Sequence, residues 1–494
     1  MKTIYRIYSI AAAALVLASC SGFLKESSQD EIKPKSVNDY KELIAGEIYN
    51  TVNESSYHTW LDIMTDDCEE FAKKATFGSD TRNSGFGYFT WQQSPEYQIS
   101  GVLNNDKAWY NYYHQILVAN MVLYDIDEMS GKEEDRAAVK AEAYMIRAYA
   151  YYMLVNIYGE PYEPETASTA AGVPINDLVG AENKQFARES VQTVYDVIIE
   201  NAENALAEFG KTSGSQSVFR WNEAAADVLL SRIYLYMQNW EAAAKYASAA
   251  LDIKAELWDL NQKAAEGDGT DEGYFFSSRN PEILFSYGYY YVSYFATGAK
   301  GAYPASASLR GMYGTGDLRG GTTGAYIRRL GSTFFGGGKR YVPYKGYDSS
   351  TTGRHGKAIR TAEAYVNRAE AYAHLGKLSE AMSDIETIRK NRFTTAAYKP
   401  LSATSQEDIL QAVKDERRRE FCFEQQRWFD LRRWDRPSIT HTYTPDLSKT
   451  SVYETYVLQQ NDPAYTLPLP QEVIENDPLI ENIYRPERKA EATE

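Results

Sequence analysis

Along much of the chain, apolar residues recur at intervals of three and four, the spacing that puts them on one face of an α-helix. Between Asp135 and Tyr158 the positions Ala138, Ala141, Met145, Ala148, Tyr152 and Val155 form one such stripe, and Gly159 with Pro161 predicts its end. A second stripe, Val191, Val194, Ile198, Ala202, Ala205 and Phe209, predicts a helix over Ser190 to Phe209. Two helical hairpins with related punctuation follow. The first runs from Asn222 to Tyr236, turns at Met237-Gln238-Asn239 and continues from Trp240 to Leu251. The second runs from Thr361 to His374, turns at Leu375-Gly376-Lys377 and continues from Leu378 to Arg392.

Small alanine faces let neighbouring helices pack closely, and these pairs resemble tetratricopeptide units; generic helical hairpins are the alternative. The helical period lapses twice. Phe77 to Val102 reads as irregular. From about Gly267 to Gly356, glycines, serines and aromatics dominate, with Glu282 to Tyr287 as a short strand and Gly311 to Gly338 as a glycine-dense loop. Long irregular stretches inside a globular chain are usually functional when ordered. The expected fold is mainly α: a tetratricopeptide-like helical-hairpin scaffold in one domain over residues 36–494. Loop-rich ligand-binding insertions at about 77–102 and 267–356, and a few short strands, complete it.

The first residues fall outside that fold. Lys2 and Arg6 precede an apolar run, Ile10 to Ala18, which is shorter than the ~20 residues needed to cross a bilayer. Residues 1–19 therefore read as a secretory signal peptide. It ends Leu17-Ala18-Ser19-Cys20, which resembles a bacterial lipobox and makes Cys20 the acylated mature N-terminus. An ordinary secreted protein with a chance cysteine is the alternative. Residues 20–35 are polar and read as a tether. No later segment is apolar enough to span a membrane.

A net charge of −16 argues against a nucleic-acid partner, whose phosphates favour basic surfaces. Cys68 and Cys422 are far apart and read as two unpaired, partly buried thiols. Asp66-Asp67-Cys68-Glu69-Glu70 could suggest a carboxylate pair or a calcium site, but adjacent acids point in different directions. The five histidines lack metal-ligand spacing, Gly336-Gly337-Gly338-Lys339-Arg340 lacks the ending of a phosphate loop, and Gly-x-Ser-x-Gly is absent. No cofactor or catalytic residue is indicated. The arginines from Arg417 to Arg433 read as partners of Glu416, Glu420, Glu424 and Asp430, with a basic docking patch as the alternative. Trp109, Trp428 and Trp434 read as packing residues.

Several motifs, in order, resemble the SusD/RagB family of outer-membrane nutrient-binding lipoproteins. After Cys20 come Trp109-Tyr110-Asn111-Tyr112-Tyr113, Ala141-Glu142-Ala143-Tyr144-Met145-Ile146-Arg147-Ala148-Tyr149 and Ile157-Tyr158-Gly159-Glu160-Pro161. Later come Arg232-Ile233-Tyr234-Leu235-Tyr236, Ala362-Glu363-Ala364-Tyr365, Arg427-Trp428-Phe429-Asp430-Leu431-Arg432-Arg433-Trp434 and Leu467-Pro468-Leu469-Pro470. The resemblance implies a helical protein without enzymatic activity that captures a glycan at the outer membrane. It also implies a SusC-like TonB-dependent transporter as partner. Peptide capture, or a lid without ligand selectivity of its own, are the alternatives within that family. The segment Ser21-Gly22-Phe23-Leu24-Lys25-Glu26 is less acidic than surface-exported lipoproteins of this group often carry.

Tyrosine is abundant, at 41 residues, and tyrosine pairs an apolar face with a polar tip. Sugar rings present C–H faces that stack on aromatics and hydroxyls that need polar neighbours. Aromatics within the two irregular regions are therefore the ligand candidates: Trp91 first, with Tyr97, then Tyr289, Tyr290, Tyr291 and Tyr294. Asp67 and Arg82 are candidate polar partners. Within the family, contacts tend to arise in these two regions.

Overall fold

The computed structural model describes residues 34–491 except 50–57, 73–78, 105–106, 181, 183, 214–216, 263–274, 277–279, 288–301, 332–338 and 346–356. Cys20 and Tyr289, Tyr290, Tyr291 and Tyr294 lie outside the described residues. Helix α1 (Val37–Ile44) starts at a capping box, in which Ser36 and Asp39 satisfy each other's backbone N–H groups. Next come α2 (Ser79–Phe89), α3 (Ala108–Asp125), α4 (Glu133–Tyr158), α5 (Val191–Phe209), α6 (Glu223–Tyr236) and α7 (Trp240–Ile253). From α3 to α7 each helix packs on the one before it. The alternating order of long helices and short turns thus builds a row.

Sequence signals explain the helix ends. Glu133, Glu134 and Asp135 place three acids in the first turn of α4, where the helix dipole favours negative charge, and the helix begins ahead of its apolar stripe. Ser190 and Asn222 are N-caps rather than helical residues, accepting from the amides of Thr193 and Ala225. Every residue from Ala148 to Tyr158 is buried, so α4 runs through the core and not along its edge.

After a short helix α8 (Ala307–Gly311), the row resumes with α9 (Thr361–His374), α10 (Leu378–Lys390), α11 (Gln406–Phe421) and α12 (Arg427–Arg433). Helix α9 lies between α6 and α7 on one side and α10 and α11 on the other. Its Ala362, Ala364, Ala369, Ala371 and Ala373 are fully buried, as close approach by four helices requires. Both hairpins turn in the same way. Gln238 and Gly376 take left-handed φ values of 59° and 73°. The next amide reaches back to the last turn, Asn239 N–H to Tyr234 at 2.9 Å and Lys377 N–H to Tyr372 at 2.8 Å. This is the Schellman arrangement, which satisfies carbonyls that the helix end would leave open.

Three two-stranded antiparallel sheets complete the described chain: β1 (Ile283–Tyr287) with β4 (Lys357–Arg360), β2 (Ile327–Gly331) with β3 (Lys339–Pro343), and β5 (Ile439–Tyr443) with β6 (Glu454–Leu458). The strand expected over Glu282 to Tyr287 is β1. The stretch read as glycine-dense loop holds β2 at Ile327–Gly331, where Tyr326 and Ile327 are buried. Helix α2 is a larger correction, since it occupies residues 79–89 of a region read as irregular. Its sequence, Ser79 to Phe89, has no strong apolar stripe because neighbours cover it on several sides. Helix α13 (Gln471–Asn476) is the last helix described. Cys68 and Cys422 are both free and buried. Among the described residues, no helix is long and apolar enough to cross a membrane.

The insertion and the C-terminal third meet at one buried carboxylate. Glu420 of α11 accepts from Arg319 at 3.0 Å, Arg360 at 2.7 Å, Arg392 at 2.9 and 3.0 Å, and the Tyr326 hydroxyl at 2.8 Å. Glu282, just before β1, accepts from Arg392 at 2.6 Å and Arg360 at 3.1 Å. Glu416 and Asp317 bind the remaining edges of Arg319. Only part of the expected pairing within the α11–α12 hairpin is present. Arg417 and Arg433 do reach Asp430, and Arg419 reaches Glu416. Glu420 and Glu424 instead take partners from distant segments, Glu424 pairing with Lys345 and Arg360. Burial alone would raise the Glu420 carboxyl; the three guanidiniums outweigh it and hold the group well below the usual carboxylate range.

Two outcomes are expected. Removing the central carboxylate leaves buried positive charge under-compensated, so Glu420→Gln should cost about 3–5 kcal/mol in chemical denaturation. Asp227, 4% exposed on α6, behaves oppositely. Burial, then the Glu223 charge one turn earlier, raises its pKa from 3.8 to about 7, with Lys245 partly offsetting them. The folded chain therefore holds a proton that the unfolded chain releases, and this stabilisation is lost as pH rises from about 4 to 7. Asp227→Asn should raise the thermal midpoint by a few degrees at pH 8, with the gap shrinking towards pH 5; an equal gain at both would refute the assignment.

Candidate functional site

The acidic run after α1 is the first chemistry met along the chain. Each of its four acids faces an arginine. Arg427 grips Asp66 through two bonds of 2.9 Å, and Arg418 donates to Asp67 at 2.7 Å. Arg310 donates to Glu69 at 2.6 Å, and Arg82 pairs with Glu70. Among the described residues, no group of three or more histidines, cysteines, aspartates or glutamates is placed to hold a metal ion. Asp67 and Arg82 are 1% and 7% exposed. Asp67 ties this run to α11, and Arg82 ties α2 to Thr444 after β5 and covers the Tyr443 ring at 3.9 Å. Neither presents its charged end to a ligand.

The same run brings the two irregular regions together. Phe71 N–H donates to the Ala302 carbonyl at 2.9 Å, Glu69 N–H to Pro304 at 3.0 Å, and the Tyr303 hydroxyl to the Arg82 carbonyl at 2.7 Å. The middle of the insertion, at residues 302–304, therefore lies beside α2. Two glycines make that approach possible. A Cβ on Gly85 would stand 2.5 Å from a Tyr303 ring carbon, and one on Gly87 would stand 2.4 Å from the Pro95 carbonyl oxygen.

After α2 the chain reverses through Trp91, whose φ of 52° is unusual for a bulky residue. Its surroundings explain the tolerance. Trp91 is fully buried, its indole N–H donates to Met64 at 2.9 Å, and its ring stacks on His441, which stacks in turn on Phe89. Trp91 is thus a core residue with no ring face open to a sugar, which corrects its ranking as first ligand candidate. No local signal marks the difference, because a tryptophan beside glutamines reads alike in a loop and in a core turn.

Beyond Trp91, residues 92–104 form a narrow loop closed by Gln98 N–H to Val102 at 2.9 Å and Asn104 N–H to Glu96 at 2.8 Å. Gly101 at the tip takes φ 78°. One side of this loop, the end of α2 and the β5–β6 sheet enclose a groove of about 610 Å³. Phe86, half-buried, packs edge-on to Tyr443 at 4.7 Å and forms the aromatic side of the groove. Tyr97, also half-buried, stands at the loop edge with its hydroxyl donating to Gln471 at 2.8 Å. Gln92, Gln93, Gln98 and Glu454 supply amides and a carboxylate. The volume is within the ~300–1,000 Å³ of ordinary ligand pockets.

Of the predicted site residues that are described, Tyr97 alone lines this groove. Tyr443 and Glu454 come from the C-terminal hairpin and do not stand out in the sequence. A weak signal exists: Ile439, His441 and Tyr443 alternate with Thr440 and Thr442, and the structure buries the first three.

Two family matches divide the chain. Residues 22–235 match a family described as "Starch-binding associating with outer membrane", and residues 236–485 match the SusD family. The chain belongs to the SusD/RagB family. Among curated relatives, the SusD-like protein P25 of Formosa agariphila is 21% identical, over 94% of this chain and 95% of its own length. The SusD-like protein P2 of that organism is 24% identical over 66% and 70%. A solved putative sugar binding protein from Bacteroides vulgatus superposes with a TM-score of 0.69 at 21% identity, covering 91% of this chain and 99% of its own. A SusD superfamily structure from Bacteroides thetaiotaomicron gives 0.68 at 19% identity, covering 91% and 100%. These likenesses establish the fold.

Removing Trp91 should therefore report on stability. Trp91→Ala is expected to cost about 3–5 kcal/mol in denaturant unfolding. Tyr97→Ala should unfold within about 1 kcal/mol of the parent, as is usual for a half-exposed side chain.

Proposed function

We propose that this chain is a surface glycan-binding lipoprotein that captures oligosaccharides and passes them to a SusC-like TonB-dependent transporter, without catalysing a reaction on them. The groove beside the 92–104 loop carries the reading. Aromatic edges from Phe86, Tyr97 and Tyr443 meet three glutamine side chains and one carboxylate. Glutamine amides both donate and accept, which suits the mixed demands of sugar hydroxyls. The glutamines bring no charge, so the ligand they favour is a neutral one. Tyr97 is the contact residue assigned here, and Tyr289, Tyr290, Tyr291 and Tyr294, outside the described residues, are the further candidates.

Anchoring is assigned to Cys20. Acyl chains there would hold the protein at the outer membrane, facing the extracellular side, with each buried methylene contributing ~0.8 kcal/mol. Cys20→Ala should release the protein from the membrane fraction and abolish incorporation of radiolabelled palmitate.

The capture reading is tested with the soluble chain from residue 21 on a glycan array, beside an array of mixed peptides. Selective glycan binding that Tyr97→Ala and Gln98→Ala weaken at least tenfold, with unfolding unchanged, is the expected result. Binding to peptides alone would replace glycan with peptide cargo. Silence on both arrays, with uptake intact in cells carrying the variants, would reduce the protein to a lid on its transporter.

A further inference from the structure

A second groove, of about 510 Å³, is lined in part by α13. The outer face of α3 forms its floor. Tyr110 is 65% exposed, and one turn on, the His114 ring runs parallel to it at 8° with centroids 6.2 Å apart. Residues four apart on a helix are neighbours, so the two parallel rings together give this face an exposed aromatic surface. Glu47 holds the His114 ring in that orientation, 3.1 Å from its Nε2. Phe186 lines the same groove. The Lys184 ammonium lies 4.8 Å from its ring centre and is itself paired with Asp177 at 2.7 Å. Asp477 accepts the Phe186 amide at 2.9 Å, fixing the backbone of that wall.

The polar groups on the rim are Gln185 and Asn476, two exposed amides, and Glu472. The nearby charges are Glu47, Asp177, Glu472 and Asp477 against Lys184. This slightly acidic surround disfavours uronic or sulfated sugars, while flat rings and amides suit a neutral one.

Helix α13 links the grooves. Its first residue, Gln471, binds Tyr97 of the first groove, while Glu472, Val473 and Asn476 line the second. We propose that Tyr110, His114 and Phe186 form a second saccharide platform, and that one neutral polysaccharide chain engages both grooves across α13. The proposal rests on the capture reading above. Two linked contacts raise apparent affinity without new chemistry at either, so binding should strengthen with chain length once a ligand can bridge them.

The test measures Kd by isothermal titration for a neutral oligosaccharide series, using 4-mers to 20-mers of whichever backbone binds on the array, with the soluble chain and its Tyr110→Ala and Asn476→Ala variants. The parent should bind the longest members at least about tenfold more tightly than the short ones. Tyr110→Ala should remove that gain while leaving the short-oligomer Kd unchanged; Tyr97→Ala should weaken all lengths. Unchanged length dependence in Tyr110→Ala, or parent binding that is flat with length, would overturn the platform and leave the capture reading standing. Parent binding to no neutral sugar would overturn both. A Tyr110→Ala variant that binds every length like the parent, yet fails to co-purify with the transporter, would reassign this face to a protein contact.

Discussion

A carboxylate buried among three guanidiniums is the contact on which the described architecture turns. Glu420 sits where the insertion, the strand ending at Arg360, the segment after α10 and helix α11 converge, and it receives a donor from each of the first three. Glu282, Glu416 and Asp317 complete the neutralisation of those arginines. A charge moved out of water is costly, and the cost is offset only when the geometry supplies full partners. The cluster is therefore all-or-none: it forms when those segments are in place together. Such a centre fixes the insertion together with the apolar side chains it buries, among them Phe285, Tyr303 and Tyr326.

The helical row supplies what this centre is attached to. Alanine faces on α6, α7 and α9 let the helices approach, and left-handed turns at Gln238 and Gly376 set both hairpins alike. A rigid row leaves its connections free to differ, and the grooves are built by those connections. The first takes one wall from α2 and its loop and the other from the C-terminal hairpin, more than 300 residues later in the chain, as the contact of Arg82 with Thr444 illustrates. The second takes its floor from α3 and its rim from the segment before α5 and from α13. Helix α13 lines the second groove and touches the edge of the first, where Tyr97 donates to Gln471.

The scaffold is legible in the order of residues alone. The stripes from Ala138 to Val155 and from Val191 to Phe209, and both hairpins, are local patterns, and local patterns survive because the helical period is a property of neighbouring residues. Caps such as Ser190 and Asn222 are equally local, since each acts on residues only three positions away. The ordered family motifs are legible for the same reason. Helix α2 escapes such a reading because its burial comes from Tyr303, Pro95 and Tyr443, none of them within the helix, so no period records it.

Residue order therefore carries the helical class, the places where helices start and stop, and the family. The use made of each polar and aromatic side chain emerges only when the chain is folded. Trp91 and Tyr97 stand six positions apart in similar company, yet one is sealed between His441 and Met64 and the other edges a groove. The acids from Asp66 to Glu70 look alike in sequence and face four different arginines in space. Exposure and pairing depend on which distant segments arrive beside a residue, and that is a sum over the whole fold that no local spacing carries.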